Sequence, residues 1–280
     1  MLRIALPNKG GLSAPAQEML REAGYRQRPF ERDLTCLDPE NDVEFFYLRP
    51  RDIATYVSSG DLDLGITGRD LVRDNASGAG TEELLDLGFG RSTFRYATRA
   101  GAKQELGGQR IATSFPELVA KDLAARGETA TVIRLEGAVE NAVRLGVADV
   151  IADVVETGAT LRQAGLEVFG KPLLESAAVL IRREGGAANG ATAQLLRRLQ
   201  GVLVARRYVM LAYDVRADKL DEACDLTPGI ESPTISPLHR EGWVAVQAMV
   251  LRADSHRIMD ELFELGARGI LVTSIHACRL

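Results

Sequence analysis

A chain of 280 residues, 46% of them hydrophobic and 26% charged, has enough apolar material for a substantial core and length enough for two or three domains. Its 34 Lys and Arg against 39 Asp and Glu leave a formal net charge of -5, the wrong sign for a general nucleic-acid binder, whose affinity comes from clustered cations on phosphates. No apolar run approaches the ~18 residues of a membrane span, and Asn8-Lys9-Gly10 breaks the amino-terminal apolar run too soon for a secretory signal, so a cytoplasmic protein without membrane attachment is expected.

The first ~200 residues alternate apolar strands with helical segments, the pattern of an α/β fold with mostly parallel sheets. Residues 2–6 read as a strand, and Ser13 starts a helix through Glu22 that tolerates Pro15 in its first turn and stops at Gly24. A strand at 43–48 leads through Arg49-Pro50-Arg51-Asp52 into a helix ending at Gly60, and 62–67 is a third strand. Strands follow at 91–98, 110–112 and 129–134, with a helix opened by Pro116 and running to Arg126 between the last two. Residues 150–155 form an apolar strand carrying one acid, Asp153, and run through Glu156-Thr157-Gly158-Ala159-Thr160 into a helix at Leu161. Gly185-Gly186-Ala-Ala-Asn189-Gly190 reads as a surface loop, and 192–205 as a helix returning to the first lobe. From Tyr208 the order is β-α-β-β-α-β, with strands at 208–215, 234–238, 243–251 and 270–275 and helices at 217–223 and 255–265, which is the ferredoxin-like split motif.

A weak internal repeat organises the front part. Gly60-Asp-Leu-Asp-Leu-Gly-Ile-Thr67-Gly68 and Gly146-Val-Ala-Asp149-Val-Ile-Ala-Asp153 share the order helix, Gly, spacer, Asp, apolar strand. Ligands in open α/β sheets bind outside the carboxyl ends of strands, so two similar lobes would place Thr67-Gly68 and Thr157-Gly158 on opposite walls of one cleft. At the second wall, free amides of a helix start, a glycine that lets the backbone approach, and the Thr157 and Thr160 hydroxyls suit a phosphate, while Asp153 suits vicinal sugar hydroxyls. The bland alternative is a strand that ends in a Thr-Gly turn with Asp153 solvated. Lys9, Arg49 and Arg51 are either phosphate partners or surface charges; Asp70 either caps the helix after Gly68 or touches a nucleotide; Thr113 and Ser114 either line the cleft or begin a helix. The cysteines (36, 224, 278) and histidines (239, 256, 276) are scattered without C-x-x-C or H-E-x-x-H spacing, so neither a disulfide framework nor a protein-built metal site is indicated.

The stretch from Glu140 through Gly146, Ala148, Asp149, Asp153, Thr157, Gly158 and Thr160 to Leu161 resembles the phosphoribosyl-pyrophosphate motif of the ATP phosphoribosyltransferase family. The likeness extends, in order, over Arg3-Ile-Ala-Leu-Pro-Asn-Lys9-Gly10, Leu48-Arg49-Pro50-Arg51-Asp52-Ile53, Asp63-Leu-Gly-Ile-Thr67-Gly68-Arg69-Asp70 and Glu231-Ser-Pro-Thr234-Ile-Ser-Pro237. Two residues depart from it: Gly11, where many members carry an Arg, and Glu156, where a small hydroxyl residue is common.

The resemblance implies a two-lobed catalytic part like a type II periplasmic binding protein (lobe I, 1–90 and 180–207; lobe II, 91–179) and a regulatory ACT-like domain at 208–280. It implies transfer of phosphoribose from phosphoribosyl pyrophosphate to ATP, with Mg²⁺ carried on the substrate and Asp153, Glu140 and Lys9 at the reacting centre. Thr157, Gly158, Ala159, Thr160 and Leu161 would join Asp153 in holding phosphoribosyl pyrophosphate. Lys9, Gly10, Arg49, Arg51, Thr67, Gly68, Asp70, Thr113 and Ser114 would hold ATP. L-Histidine would inhibit through Asp214, Ile230, Thr234 and Gly269, in homodimers and homohexamers. A solute-binding module and a phosphoribosyltransferase for another base are the competing readings.

Overall fold

In the computed structural model, which describes residues 1–75, 80–186 and 190–279, one sheet is assembled from both flanks of a second. The chain runs β1 (Leu2–Pro7), α1 (Ser13–Glu22), β2 (Thr35–Asp38), β3 (Val43–Leu48), α2 (Pro50–Ser59), β4 (Leu64–Gly68), α3 (Arg69–Asp74) and β5 (Thr81–Asp86). It then builds the second lobe from β6 (Ser92–Arg99), β7 (Arg110–Thr113), α4 (Pro116–Arg126), β8 (Thr131–Arg134), α5 (Asn141–Arg144), β9 (Val150–Val155), α6 (Ala159–Gln163) and β10 (Leu166–Ser176). Strand β11 (Ala178–Arg183) returns to the first sheet, giving the orders β2-β3-β1-β4-β11-β5 and β10-β6-β9-β7-β8.

The sheets are mixed and not mostly parallel. Pairs β1/β3, β1/β4, β7/β8 and β7/β9 are parallel, each crossed over by a helix-bearing connection. The antiparallel pairs are β2/β3, β4/β11, β5/β11, β6/β9 and β6/β10. All but β6/β9 involve a strand the sequence pattern does not announce.

Helices α2 and α4 begin and end for local reasons. Each has proline at its first turn, where no amide is needed, and each stops at a left-handed glycine, Gly60 at φ 83° and Gly127 at φ 67°. In the first lobe α2 buries Ile53, Ala54 and Val57 against Ala5, Val179 and Ile181. The second sheet is covered on both faces. Phe94, Tyr96, Val150 and Ala152 meet Leu118, Val119 and Leu123 of α4, while Ala97 and Ile151 meet Ala142, Val143 and Leu161. This is the alternation expected of a central strand buried on both sides.

The described chain divides into two compact units, Met1–Arg21 with Tyr25–Thr192, and Glu22–Gly24 with Ala193–Leu280. Helix α7 (Gly190–Arg207), expected to return to the first lobe, belongs from Ala193 onward to the second unit. Of the loop expected at 185–190, residues 187–189 lie outside the described residues. The second unit continues with β12 (Tyr208–Arg216), α8 (Leu220–Leu226), β13 (Thr234–Pro237), β14 (Trp243–Leu251), α9 (Ser255–Leu265) and β15 (Arg268–Ser274). Its antiparallel order, β13-β14-β12-β15, is the ferredoxin-like one, with Leu211, Tyr213 and Val246 packed on Ala223 and Leu262 of its helices. Among the described residues no helix is long and apolar enough to cross a membrane.

Candidate active site

Asp153 lies near the carboxyl end of β9, in register with Arg95 of β6. Side chains alternate along a strand, so Asp153 shares with Ile151 the face covered by α5 and α6. Its half-buried carboxylate accepts the Val154 amide at 2.8 Å. Burial above all, and then the charges of Glu140 and Asp70, push its pKa up to about 6, against the Val154 hydrogen bond. An acid so placed is stabilised by a ligand that donates hydrogen bonds to it, as a pair of sugar hydroxyls does. Glu140 is half-buried at the N-cap position of α5.

Beyond Val155 the chain turns into α6 through Gly158, whose φ of 69° at the N-cap position favours glycine. Arg162 reaches back, Nη1 donating to the Thr157 carbonyl at 3.1 Å, and Thr157 Oγ1 accepts the Ala159 amide at 3.4 Å. Thr157, Ala159 and Thr160 are exposed, whereas the Leu161 side chain is committed to the core, so Leu161 offers a ligand only its backbone. The turn is braced from within and leaves two hydroxyls beside first-turn amides, a set of donors for an anion. Gly146 and Asp149, earlier in the same motif, serve the fold. Arg110 donates to both Asp149 oxygens, at 2.8 and 3.0 Å, and to the Gly146 carbonyl at 2.9 Å. The Arg110 hydrogen bonds pull the Asp149 pKa down to about 2.

The corresponding turn of the first lobe is closed. Thr67 is fully buried and its hydroxyl donates to the Pro50 carbonyl at 2.7 Å. A Cβ on Gly68 would collide with Asp70 Oδ1. That oxygen accepts the Ser176 hydroxyl at 2.8 Å, and the Ser176 oxygen accepts the Asp70 amide at 3.0 Å. Burial raises the Asp70 pKa, opposed by Ser176 and by the amides of Leu71 and Asp70 in the first turn of α3. Asp70 therefore sits inside the first turn of α3, whose N-cap position is Gly68 and carries no side-chain cap, and Ser176 ties its carboxylate to the crossing between the lobes. Thr113 is likewise fully buried, its Oγ1 accepting the Phe115 amide at 2.9 Å, and the Ser114 hydroxyl donates to the Leu135 carbonyl at 2.7 Å. The buried Thr67 and Thr113 side chains are thus fold elements, and a nucleotide would meet these positions through backbone.

Arg51 is committed as well. Its Nη1 donates to Asp74 Oδ2 at 2.8 Å, its Nη2 to the Ser114 carbonyl at 2.7 Å, and its guanidinium lies 4.9 Å from the Phe115 ring centre. Helix α4 has Phe115 at its N-cap position, which cannot cap it; the other oxygen of the buried Asp74 accepts the Glu117 and Leu118 amides at 3.0 and 3.1 Å. An aspartate of one lobe caps a helix of the other. No local spacing announces Asp74, because Arg51 is 23 residues away and Glu117 is 43. Lys9 and Arg49 are exposed, at the turn after β1 and at the N-cap position of α2. Gly10, at φ 80°, has open space around it. Glu156 lines a cavity of about 310 Å³ together with Arg69, Arg91 and Thr93. Among the described residues no group of three or more His, Cys, Asp or Glu side chains is arranged to hold a metal ion.

In the second unit Ile230 and Thr234 line a cavity of about 410 Å³ with Met210, Gln247 and Arg279. Asp214 and Gly269 are neighbours across β12 and β15; a Cβ on Gly269, which has φ 61°, would lie 3.5 Å from Asp214 Oδ2. The four expected effector residues thus fall into two pairs, and neither Asp214 nor Gly269 lines the cavity that Ile230 and Thr234 share.

Residues 49–201 match the family model described as ATP phosphoribosyltransferase, and residues 205–277 match that of the HisG C-terminal domain. The chain is 66% identical over 283 residues to the ATP phosphoribosyltransferase of Salinispora tropica and 63% identical over 287 residues to that of Streptomyces avermitilis; both alignments cover 100% of each chain. A solved structure, the ATP phosphoribosyl transferase (HisG:HisZ) complex from Thermotoga maritima, is similar at TM-score 0.64 and 25% identity, over 72% of this chain and 98% of that one. With both domains matched in order and close relatives aligned end to end, this chain belongs to the ATP phosphoribosyltransferase family, in its long form with a C-terminal domain.

Proposed function

We propose that Asp153 and the 157–160 turn hold phosphoribosyl pyrophosphate while its phosphoribosyl group passes to N1 of ATP. The reaction is that of the family and opens histidine biosynthesis. The observation that carries the assignment is a half-buried carboxylate directly ahead of a glycine turn whose two threonine hydroxyls are exposed. The C1–oxygen bond to pyrophosphate breaks and the C1–N1 bond forms, through an oxocarbenium-like state that needs no covalent protein nucleophile. Positioning and fixed charge supply the catalysis. Ionised Asp153 accepts hydrogen bonds from the ribose hydroxyls and sets negative charge near the developing cation, with Glu140 as a further sugar contact. The turn takes the 5′-phosphate. Exposed Lys9, beside the open Gly10, and Arg49 are the free cations for pyrophosphate or triphosphate oxygens, and Arg51 orders the wall through Asp74 and Ser114. Mg²⁺ would be held mainly by substrate oxygens and water, neutralising the leaving pyrophosphate.

The second unit is proposed to bind L-histidine, with Asp214 on the amino group, Thr234 as a polar contact and Ile230 and the Gly269 backbone around the ring, in a cytoplasmic dimer or hexamer. Incubation with phosphoribosyl pyrophosphate and ATP, free purines, orotate or quinolinate tests the reaction. Magnesium-dependent pyrophosphate release with ATP alone is expected, and turnover only with a free base would sink it. Calorimetry should detect L-histidine binding to the intact chain; none would remove the regulatory reading.

A further inference from the structure

Among the described residues Arg28 is the only Lys or Arg that is buried, at 7% exposure. It lies beneath the turn that carries Lys9. Its Nε donates to Gln17 Oε1 at 3.3 Å, its Nη1 to the Asp33 carbonyl at 2.8 Å and to the Glu31 carbonyl, and its Nη2 to the Asn8 carbonyl at 3.3 Å. Four of the five N–H groups are used, all by uncharged oxygens. The guanidinium also lies over Tyr47, 4.0 Å from the ring centre, and the Tyr47 hydroxyl accepts the Arg28 amide at 3.1 Å. No described ion pair includes Arg28. Asp33 gives it a carbonyl and not its carboxylate, and the Asp38 carboxylate is bonded to the Arg26 amide and to Asn41.

Burying a guanidinium without a carboxylate is costly, and a merely structural arginine is normally paired. Here the charge stays uncompensated in a region of low dielectric, where screening by salt is weak. Above it the Lys9 side chain is exposed, and Gly10 and Gly11 leave the turn open, with nothing within 4 Å of a Cβ at either. The Asn8 side-chain oxygen is buried there without a partner.

We propose that Arg28 is a positioning residue of the active site: it holds the Asn8–Gly10 turn through the Asn8 carbonyl and adds a buried positive charge behind Lys9 for the polyphosphate bound over that turn. This rests on the reading of Lys9 as an anion contact. The discriminating variant is Gln17→Glu, which sets a carboxylate against Arg28 Nε and gives up the hydrogen bonds from the Gln17 amide nitrogen to the Ser13 carbonyl and hydroxyl at 3.2 and 3.1 Å; Gln17→Met, which gives up the same bonds without adding charge, is its control. The dissociation constant of inorganic pyrophosphate, measured by calorimetry on the full chain at low salt, should rise about five- to tenfold in Gln17→Glu and stay within about twofold of wild type in Gln17→Met; an equal rise in both would make Arg28 only a brace. Arg28→Lys, which keeps the charge, should bind closer to wild type than Arg28→Met. Lys9→Met provides the reference. If it weakens pyrophosphate binding and Gln17→Glu does not, Arg28 is only a brace and the proposal is overturned. If Lys9→Met itself binds as wild type, the anion site is not at this turn and the underlying reading fails first.

Discussion

Thr67-Gly68 ends β4 and leads into α3 much as Thr157-Gly158 follows β9 and leads into α6, yet the two turns spend their polar groups differently. In the first lobe the Thr67 hydroxyl is held by Pro50 in the core and Asp70 by Ser176, so every donor named there already has an acceptor. In the second, Thr157 and Thr160 are exposed, and Arg162 braces the turn through a carbonyl without occupying a hydroxyl. A Thr-Gly string after a strand is therefore compatible with a wall or with a cradle. What differs is the contact from distant parts of the chain: Pro50 and Ser176 occupy the first turn, whereas among the described residues no such hydrogen bond reaches the Thr157 or Thr160 hydroxyl.

The largest expected effect is at Asp153. Asp153→Asn should lower kcat/KM for phosphoribosyl pyrophosphate by about 10²-fold or more, ~3 kcal/mol, because an amide cannot accept two sugar hydroxyls as a carboxylate does. The same change should stabilise the fold. Its pKa is raised from 3.8 to about 6, so ionisation opposes folding: wild type loses stability as pH rises between those values, and the variant does not. Denaturant melts should show the variant more stable by roughly 1–3 kcal/mol above pH 6 and equal to wild type below pH ~4. A variant less stable at pH 8 would contradict this account of Asp153. For the wall the sign reverses. Asp74→Ala should destabilise the chain by roughly 2–3 kcal/mol, losing the cap of α4 and the Arg51 partner together, as a chemical-denaturation midpoint would reveal.

Smallest, and most direct, is the threonine contrast. Thr157→Val and Thr160→Val should each weaken phosphoribosyl-pyrophosphate binding by ~1–3 kcal/mol and leave stability within about 0.5 kcal/mol. Thr67→Val, which strands the Pro50 carbonyl, should cost ~1–2 kcal/mol of stability with kinetic constants largely unchanged. Equal stability loss in all three would erase the distinction between wall and cradle.

The apolar runs of β1, β3, β4, β6 and β9 and the proline-to-glycine span of α4 were legible because a strand or helix that buries one face must write that face into its own residues. β2 is only Thr35–Asp38; β5, Thr-Glu-Glu-Leu-Leu-Asp, is an acidic edge with the composition of a helix; β10 is interrupted by Gly170-Lys171-Pro172. Overlooking these and β11 is what made the sheets look parallel. At the site, Asp153 and its turn are one contiguous string and so could be read. Asp74 and Ser176 act across lobes, and no spacing along the chain encodes such a partner.

The insertion of β11 between β4 and β5 fixes an order of assembly. All strands of the second sheet lie between Ser92 and Ser176, so that lobe can pair its strands as soon as it has been synthesised. The first sheet has a missing rung until Ala178–Arg183 emerges, and until then β4 and β5 each carry an unpaired edge, the kind of surface that invites wrong pairing in a half-made chain. On the ribosome the amino-terminal lobe is thus the first of the two lobes to be made and the second to be closed.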